Sequence, residues 1–250
     1  MKQLIVTALA AAALSSANAM AAEVKVLSAG AVEPGLHKAV ALFKQQTGHD
    51  VKIQFNTAPA IARRLQEGYV ADVLIAPPAG LKQYADGGKV IADGHVLLGK
   101  VGAGITIRPN APVPNVATTD ALKASVLAAD SVVYNTASTG IYLEKMFERI
   151  GVGEQIKAKT TRHANGDAVM EHVIKGKGNE IGFGAITEIK MYEAKGSLKL
   201  VGPLPADVQN YTSYGAALMT NAPAPDAGKA FIAFLGTPAA KKLFVDAGIE

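Results

Sequence analysis

Four hydroxyl side chains stand in loops that join a predicted strand to a predicted helix: Ser28, Thr57, Ser138 and Thr139. The N–H groups of a helix's first turn have no partner inside the helix, and the helix dipole favours negative charge at that end. Such a loop can bind a small anion, and a hydroxyl adds one more donor. For Ser138 and Thr139, capping of the following helix is an equally good interpretation. The repeated pattern predicts an anion site built from several helix starts.

Small residues and two arginines accompany these hydroxyls. Ala29 and Gly30 belong to the first loop and Ala58 to the second, so their backbone N–H groups are candidate ligand donors. Arg63 and Arg64 lie inside the helix that follows the second loop. At least one of these arginines is interpreted as part of a solvent-exposed helical face. The other is a candidate for binding a carboxylate of the ligand.

The elements that must position these residues are strand–loop–helix units. Strands are predicted at 24–27, 51–55 and 71–76, each followed by a helix, and this order indicates parallel strands with ligands at their carboxyl ends. A glycine- and proline-rich stretch at 102–114 is a candidate crossover between two lobes. Further strands are predicted at 131–134, 157–163, 180–184, 198–204 and 214–219. Asp72, at a strand start, is interpreted as a structural hydrogen-bonding group and Asp167 as an N-cap.

The N-terminal residues have the pattern of a secretory signal peptide. Lys2 precedes the apolar run Leu4–Leu14, which is too short to cross a bilayer, and small residues follow it. We therefore predict a signal peptide at 1–22, export to the periplasm and no membrane anchor. The chain has no cysteine, so its stability must come from packing.

Composition argues against several function classes. The net charge is +4, but the basic residues are dispersed and aromatic residues make up 6% of the chain, which argues against nucleic-acid binding. The five histidines stand at unrelated positions, so we expect neither a metal site nor another cofactor.

Four segments together resemble the type II periplasmic substrate-binding proteins, and within them the molybdate-binding branch. They are SAGAVEPGLHKAVALFKQQTGHDV, IARRLQEGYVADVLIA, STGIYLEKMFERIGV and EIGFG. The resemblance implies an α/β fold of two lobes, each a mainly parallel sheet flanked by helices, with the ligand in the cleft between them. It implies one lobe from 23–104 and 216–250 and a second lobe from 105–215.

The resemblance also assigns ligand-binding residues. Ser28 matches a serine that contacts the oxyanion, with Ala29 and Gly30 beside it. The second loop departs from the branch, because Thr57 and Ala58 stand where it has serines and the following proline has no N–H to donate. The remaining residues implied for the site are Arg63, Ser138, Thr139, Phe183, Gly184 and Tyr214.

The resemblance implies a monomeric periplasmic solute-binding protein that serves an ABC-type permease and binds a small anion, either a molybdate-like oxyanion or a small organic acid. The alternative is a periplasmic isomerase of a tricarboxylate, similar to aconitate isomerase. Such a reaction needs a base, for which His163 and Asp167 are the candidates, and a carboxylate clamp, for which Arg63 and Arg64 are the candidates. A ligand-sensing module without transport is a third possibility.

Overall fold

The computed structural model describes residues 21–250, so the predicted signal peptide lies outside the described residues except for its last two. The strands are β1 (Glu23–Ala29), β2 (Asp50–Asn56), β3 (Val73–Ala76), β4 (Val96–Ile107), β5 (Ser131–Asn135), β6 (Thr160–His163), β7 (Glu180–Ala185), β8 (Lys199–Pro203) and β9 (Tyr211–Leu218). The helices are α1 (Glu33–Thr47), α2 (Ala58–Gln66), α3 (Pro78–Asp86), α4 (Thr119–Ala128), α5 (Ser138–Arg149), α6 (Gly153–Ile156), α7 (Gly166–Lys175), α8 (Ile186–Ala194), α9 (Pro225–Leu235) and α10 (Pro238–Val245). Within residues 21–250, no helix is both long and apolar enough to cross a membrane.

The sheet has the strand order β2-β1-β3-β9-β4-β7-β5-β6, and β8 pairs with β4. β1 runs parallel to β2 and β3, and β5 runs parallel to β6 and β7. These are the two groups of strand–loop–helix units expected from the sequence. The antiparallel strands β4 and β9 connect them: β4 pairs with β9 over its first half and with β7 over its second. The predicted lobe boundaries fall in these connecting strands and stay a prediction.

Apolar side chains pack into separate clusters on the two sides of the connecting strands. On the β1–β3 side, Phe43 of α1 packs against Phe231 and Phe234 of α9, with ring centroids 5.0 and 5.3 Å apart. On the other side, Phe147 meets Phe183 edge to face at 5.4 Å. Separate clusters on either side of two connecting strands match the two-lobed architecture that the sequence predicts.

Asp72 has the structural role that the sequence indicates. Its side chain is fully buried, and its two oxygens accept from the N–H groups of Lys25, at 2.7 Å, and Ala224, at 2.5 Å. The carboxylate thus joins β1 to the segment before α9.

The structure corrects the bounds of several predicted strands and adds the helices α6 and α8. The predicted strand 157–163 begins only at Thr160, because Ile156 of α6 is buried in the core and its carbonyl accepts from the Thr160 hydroxyl at 2.9 Å. The predicted strand 214–219 begins earlier, at Tyr211. Sequence patterns did not predict α8, because α8 starts directly after β7 without a capping side chain at Ala185.

Candidate functional site

A cleft of about 320 Å³ lies at the carboxyl ends of the parallel strands. Its wall is made by the loops and first turns that open α1, α2, α5, α7 and α8, represented by Gly30, Ala58, Ser138, Gly166 and Glu188. These helices start at the cleft because each follows a strand of one of the two parallel groups, and the carboxyl ends of these strands face the cleft. Their free N–H groups give the wall a positive electrostatic bias.

Most residues that the sequence predicts for the site line this cleft. They are Ala29, Gly30, Thr57, Ala58, Arg63, Ser138, Thr139 and Tyr214. The structure therefore brings together residues that are as much as 185 positions apart in the chain (Ala29 to Tyr214). Whether they contact a ligand stays a prediction.

The structure places Ser28, Phe183 and Gly184 behind the cleft wall. Ser28 is fully buried, and its hydroxyl donates to the Ala29 carbonyl at 3.0 Å. Phe183 is fully buried in the second core, and Gly184 lies beside Met170. The physical reason is that β1 continues two residues further than predicted and β7 one residue further, so Ala29 and Ala185 occupy the sheet edge.

The hydroxyls of the α5 loop do not cap their helix. The Asn135 side chain instead accepts from the N–H groups of Ala137, at 3.0 Å, and Gly140, at 3.1 Å. A Cβ at position 140 would overlap the Asn135 carbonyl, so only glycine fits there. Among the described residues, Ser138 and Thr139 have no side-chain hydrogen bond to the protein, which leaves both hydroxyls available to a ligand.

Thr57 is the N-cap residue of α2, but its side chain makes no capping hydrogen bond. Its hydroxyl is likewise available at the cleft wall. The two arginines occupy different places. Arg63 lines the cleft. Arg64 lies outside the lining, and its guanidinium is 5.3 Å from the centroid of the Tyr69 ring. Arg63 is the only cation among the described residues that line the cleft.

Of the two candidate bases, only Asp167 lies at the cleft. Asp167 lines the cleft and accepts from the Tyr192 hydroxyl at 3.0 Å. It is not the N-cap of α7, because Asn165 has that role and accepts from Ala168 at 2.9 Å. His163 lies outside the cleft lining, with a ring nitrogen 2.9 Å from His172. Burial and the neighbouring His172 lower the pKa of His163.

Glu188 is a cleft residue that the sequence reading missed because it missed α8. The half-buried side chain lies between the first loop and the start of α7: a Cβ at Gly30 would be 3.3 Å from its Oε1, and a Cβ at Gly166 would overlap its carboxylate. Burial, then the nearby carboxylates of Asp167 and Glu33, raise the pKa of Glu188 to about 7. The Ala185 N–H partly opposes this effect. A glutamate three residues after the end of β7 was the available signal.

Two phenols complete the polar wall. Burial and the hydrogen bond to Asp167 raise the pKa of Tyr192 to about 12. Burial and the Glu188 carboxylate raise the pKa of Tyr214, which is 5% exposed. Both phenols therefore carry their proton at neutral pH and serve as donors. In the part of the chain that the structure describes, no cluster of three His, Cys, Asp or Glu side chains could hold a metal ion.

Comparisons with known proteins assign the chain to a family. A family profile described as bacterial extracellular solute-binding protein matches residues 24–250, and the chain belongs to this family. An aconitate isomerase from Pseudomonas sp is 29% identical over 255 residues, which cover 97% of this chain and 95% of that protein.

Solved structures confirm the fold. The periplasmic molybdate-binding protein of Azotobacter vinelandii has a TM-score of 0.77 and 15% identity, over 91% of this chain and 98% of that one. The sulfate-binding protein SubI from Mycobacterium tuberculosis has a TM-score of 0.72 and 18% identity, over 91% and 86%. The predicted two-lobed type II periplasmic-binding fold is therefore confirmed.

Proposed function

From this family membership and the wall of the cleft, we propose that the protein is a periplasmic solute-binding protein that takes a small organic polycarboxylate and delivers it to an ABC-type permease. One observation carries the proposal: several helix starts, the free hydroxyls of Thr57, Ser138 and Thr139, and the Arg63 guanidinium converge on one cavity. Such groups bind carboxylates by charge-assisted hydrogen bonds, which are stronger than bonds between neutral groups.

The charges on the wall favour an organic acid over a compact oxyanion. Glu33, Asp167 and Glu188 line the same cleft as Arg63, the one cation among its lining residues in the described part of the chain. A buried tetrahedral dianion needs convergent donors on every side, and nearby carboxylates would repel it. A longer polycarboxylate can instead direct its charged ends to the helix starts and to Arg63. The volume of about 320 Å³ suits a ligand larger than a single tetrahedral ion.

Isothermal titration calorimetry on the chain 23–250 tests the proposal. The ligands are cis-aconitate, trans-aconitate, citrate, molybdate and sulfate, each injected at pH 7. We expect at least one organic acid to bind in the micromolar range or tighter and molybdate and sulfate to give no heat of binding. Tight binding of molybdate with none of the organic acids would overturn the choice of ligand class.

A second candidate function is isomerisation of a tricarboxylate in the same cleft. Asp167 favours it, because its carboxylate lies at the cleft wall and its Oδ1 accepts a hydrogen bond from the Tyr192 hydroxyl. The carboxylate would remove a proton from a methylene carbon next to the substrate's double bond. The double bond would then move to include that carbon, and a proton would add to the carbon at the other end of the original double bond. The full-length likeness to an aconitate isomerase supports testing aconitate first.

A proton NMR time course distinguishes binding from turnover. Purified protein at a hundredth of the substrate concentration is mixed with cis-aconitate in D₂O, and the vinyl and methylene signals are followed. Isomerisation predicts trans-aconitate and deuterium incorporation, both lost in Asp167→Asn. Line broadening without product would leave binding as the function.

A further inference from the structure

The Glu188 side chain is held where the loop between β1 and α1 contacts α8, which belongs to the predicted second lobe. The preceding residue, Thr187, is fully buried, and its hydroxyl donates to the Ala31 carbonyl at 2.6 Å. This bond joins the first turn of α8 to the turn that opens α1. Glu188 is therefore held at the cleft wall by the packing of its own helix.

Two glycines leave space for the carboxyl group of Glu188. Gly166 is the first residue of α7, and a Cβ there would overlap the Glu188 carboxylate; Gly30 lies against the other side. The carboxyl group thus lies at the start of α7, on the surface that a ligand must contact.

Charged and titratable groups face Glu188 from several elements. Asp167 of α7 and Glu33 of α1 are anionic neighbours, and the Tyr214 phenol faces it from β9. On α8 itself the neighbour is Tyr192, and Arg63 of α2 is the cation that lines the same cleft. An anionic ligand entering this group of carboxylates meets repulsion unless one of them is neutralised.

We propose that Glu188 takes up a proton when an anionic ligand enters the cleft and, as a carboxylic acid, donates a hydrogen bond to a carboxylate of that ligand. This inference rests on the proposed function. The neutral form removes one repulsive charge and adds a hydrogen-bond donor at the start of α7. The environment of Glu188 already favours that form, since its pKa is raised to about 7 before any ligand is present.

The sign of the pH effect follows from linkage. Below pH 7 the proton is already bound, so ligand affinity is nearly independent of pH. Above pH 7 the proton must be taken from solution, and affinity falls about tenfold per pH unit until the pKa of the complex is reached. If ligand binding were not linked to protonation of Glu188, the ligand affinity would stay constant above pH 7.

Calorimetry of the chain 23–250 at pH 8, in phosphate and in Tris, measures the protons taken up, because the two buffers differ in their heat of ionisation. With trans-aconitate as the probe, and cis-aconitate and citrate as alternatives, we expect close to one proton taken up per ligand bound. Glu188→Gln keeps a donor without a titrating group, so we expect no uptake and a flat affinity between pH 6.5 and 8.5. Glu171→Gln removes a surface carboxylate outside the cleft and should retain the uptake of the parent.

The outcomes separate the two proposals. Binding of an organic acid by the parent without proton uptake overturns the role of Glu188 and leaves the proposed function intact. Absence of binding for all three organic acids overturns the proposed function and this inference with it. Because proton uptake is measured on the parent chain, the test does not depend on the folding of Glu188→Gln. Uptake that persists in a folded Glu188→Gln variant would assign the proton to another group.

Discussion

Arg63 and Arg64 form a natural pair for testing the position of the ligand. They are adjacent on α2, yet Arg63 lines the cleft and Arg64 stacks on Tyr69 outside it. Arg63→Ala should therefore weaken binding of an organic acid, whereas Arg64→Ala, which removes the same charge one residue away, should leave affinity unchanged.

The magnitude follows from the environment of Arg63. A hydrogen bond between charged partners contributes about 1.5–3 kcal/mol when it is shielded from water, and an exposed ion pair about 0.2–1 kcal/mol. Arg63 is exposed in the described structure, so we expect an intermediate loss of about 1–2 kcal/mol in binding free energy. This corresponds to a dissociation constant roughly 5- to 30-fold higher. Arg64→Ala loses a cation–π contact and should lower the free energy of unfolding by about 0.5–1 kcal/mol.

The assay is titration calorimetry of the parent and both variants with the tightest-binding organic acid, at constant ionic strength. Urea unfolding of the same samples confirms that each variant is folded. If Arg63→Ala binds within twofold of the parent, or if Arg64→Ala loses as much affinity, the ligand does not contact this part of the wall and the placement of the site is wrong.

Three further predictions concern the surroundings of the site. Asn135→Ala leaves the N–H groups of Ala137 and Gly140 without their acceptor and should lower the free energy of unfolding by about 1–2 kcal/mol, measured by urea denaturation; an unchanged midpoint would contradict the capping role. Asp72→Asn places an amide NH₂ against a backbone N–H in a fully buried position, so we expect a loss of about 2–4 kcal/mol in the same measurement, and a loss below 1 kcal/mol would argue against it. The pKa of Glu188 is raised from 4.5 to about 7 on folding, so its contribution to stability is present below pH 4.5 and is lost as pH rises to 7. The unfolding free energy of Glu188→Gln, compared with the parent across this range by chemical denaturation, should lack this decline.

Local sequence patterns carried most of the architecture. Apolar runs followed by loops and amphipathic segments predicted β1 to β3 with the helix after each, and β5 and β7, because the period of the apolar residues differs between a strand and a helix and is visible in the sequence. The same patterns pointed to the loops at Gly30, Thr57 and Ser138, which line the cleft. They missed α8, since Ala185 offers no capping side chain, and with it Glu188.

The sequence by itself determined the fold class and the loops that line the cleft, because a helix that follows a strand always presents its first turn at the strand's carboxyl end. Only the tertiary structure decided which side chains reach the cleft. β1 continues to Ala29 and β7 to Ala185, which leaves Ser28 and Phe183 behind the wall, and one position along α2 separates Arg63 from Arg64. The proximity of Glu188 to Gly30, Gly166 and Asp167 depends on elements distant in the chain, and burial among those neighbours is what raises its pKa.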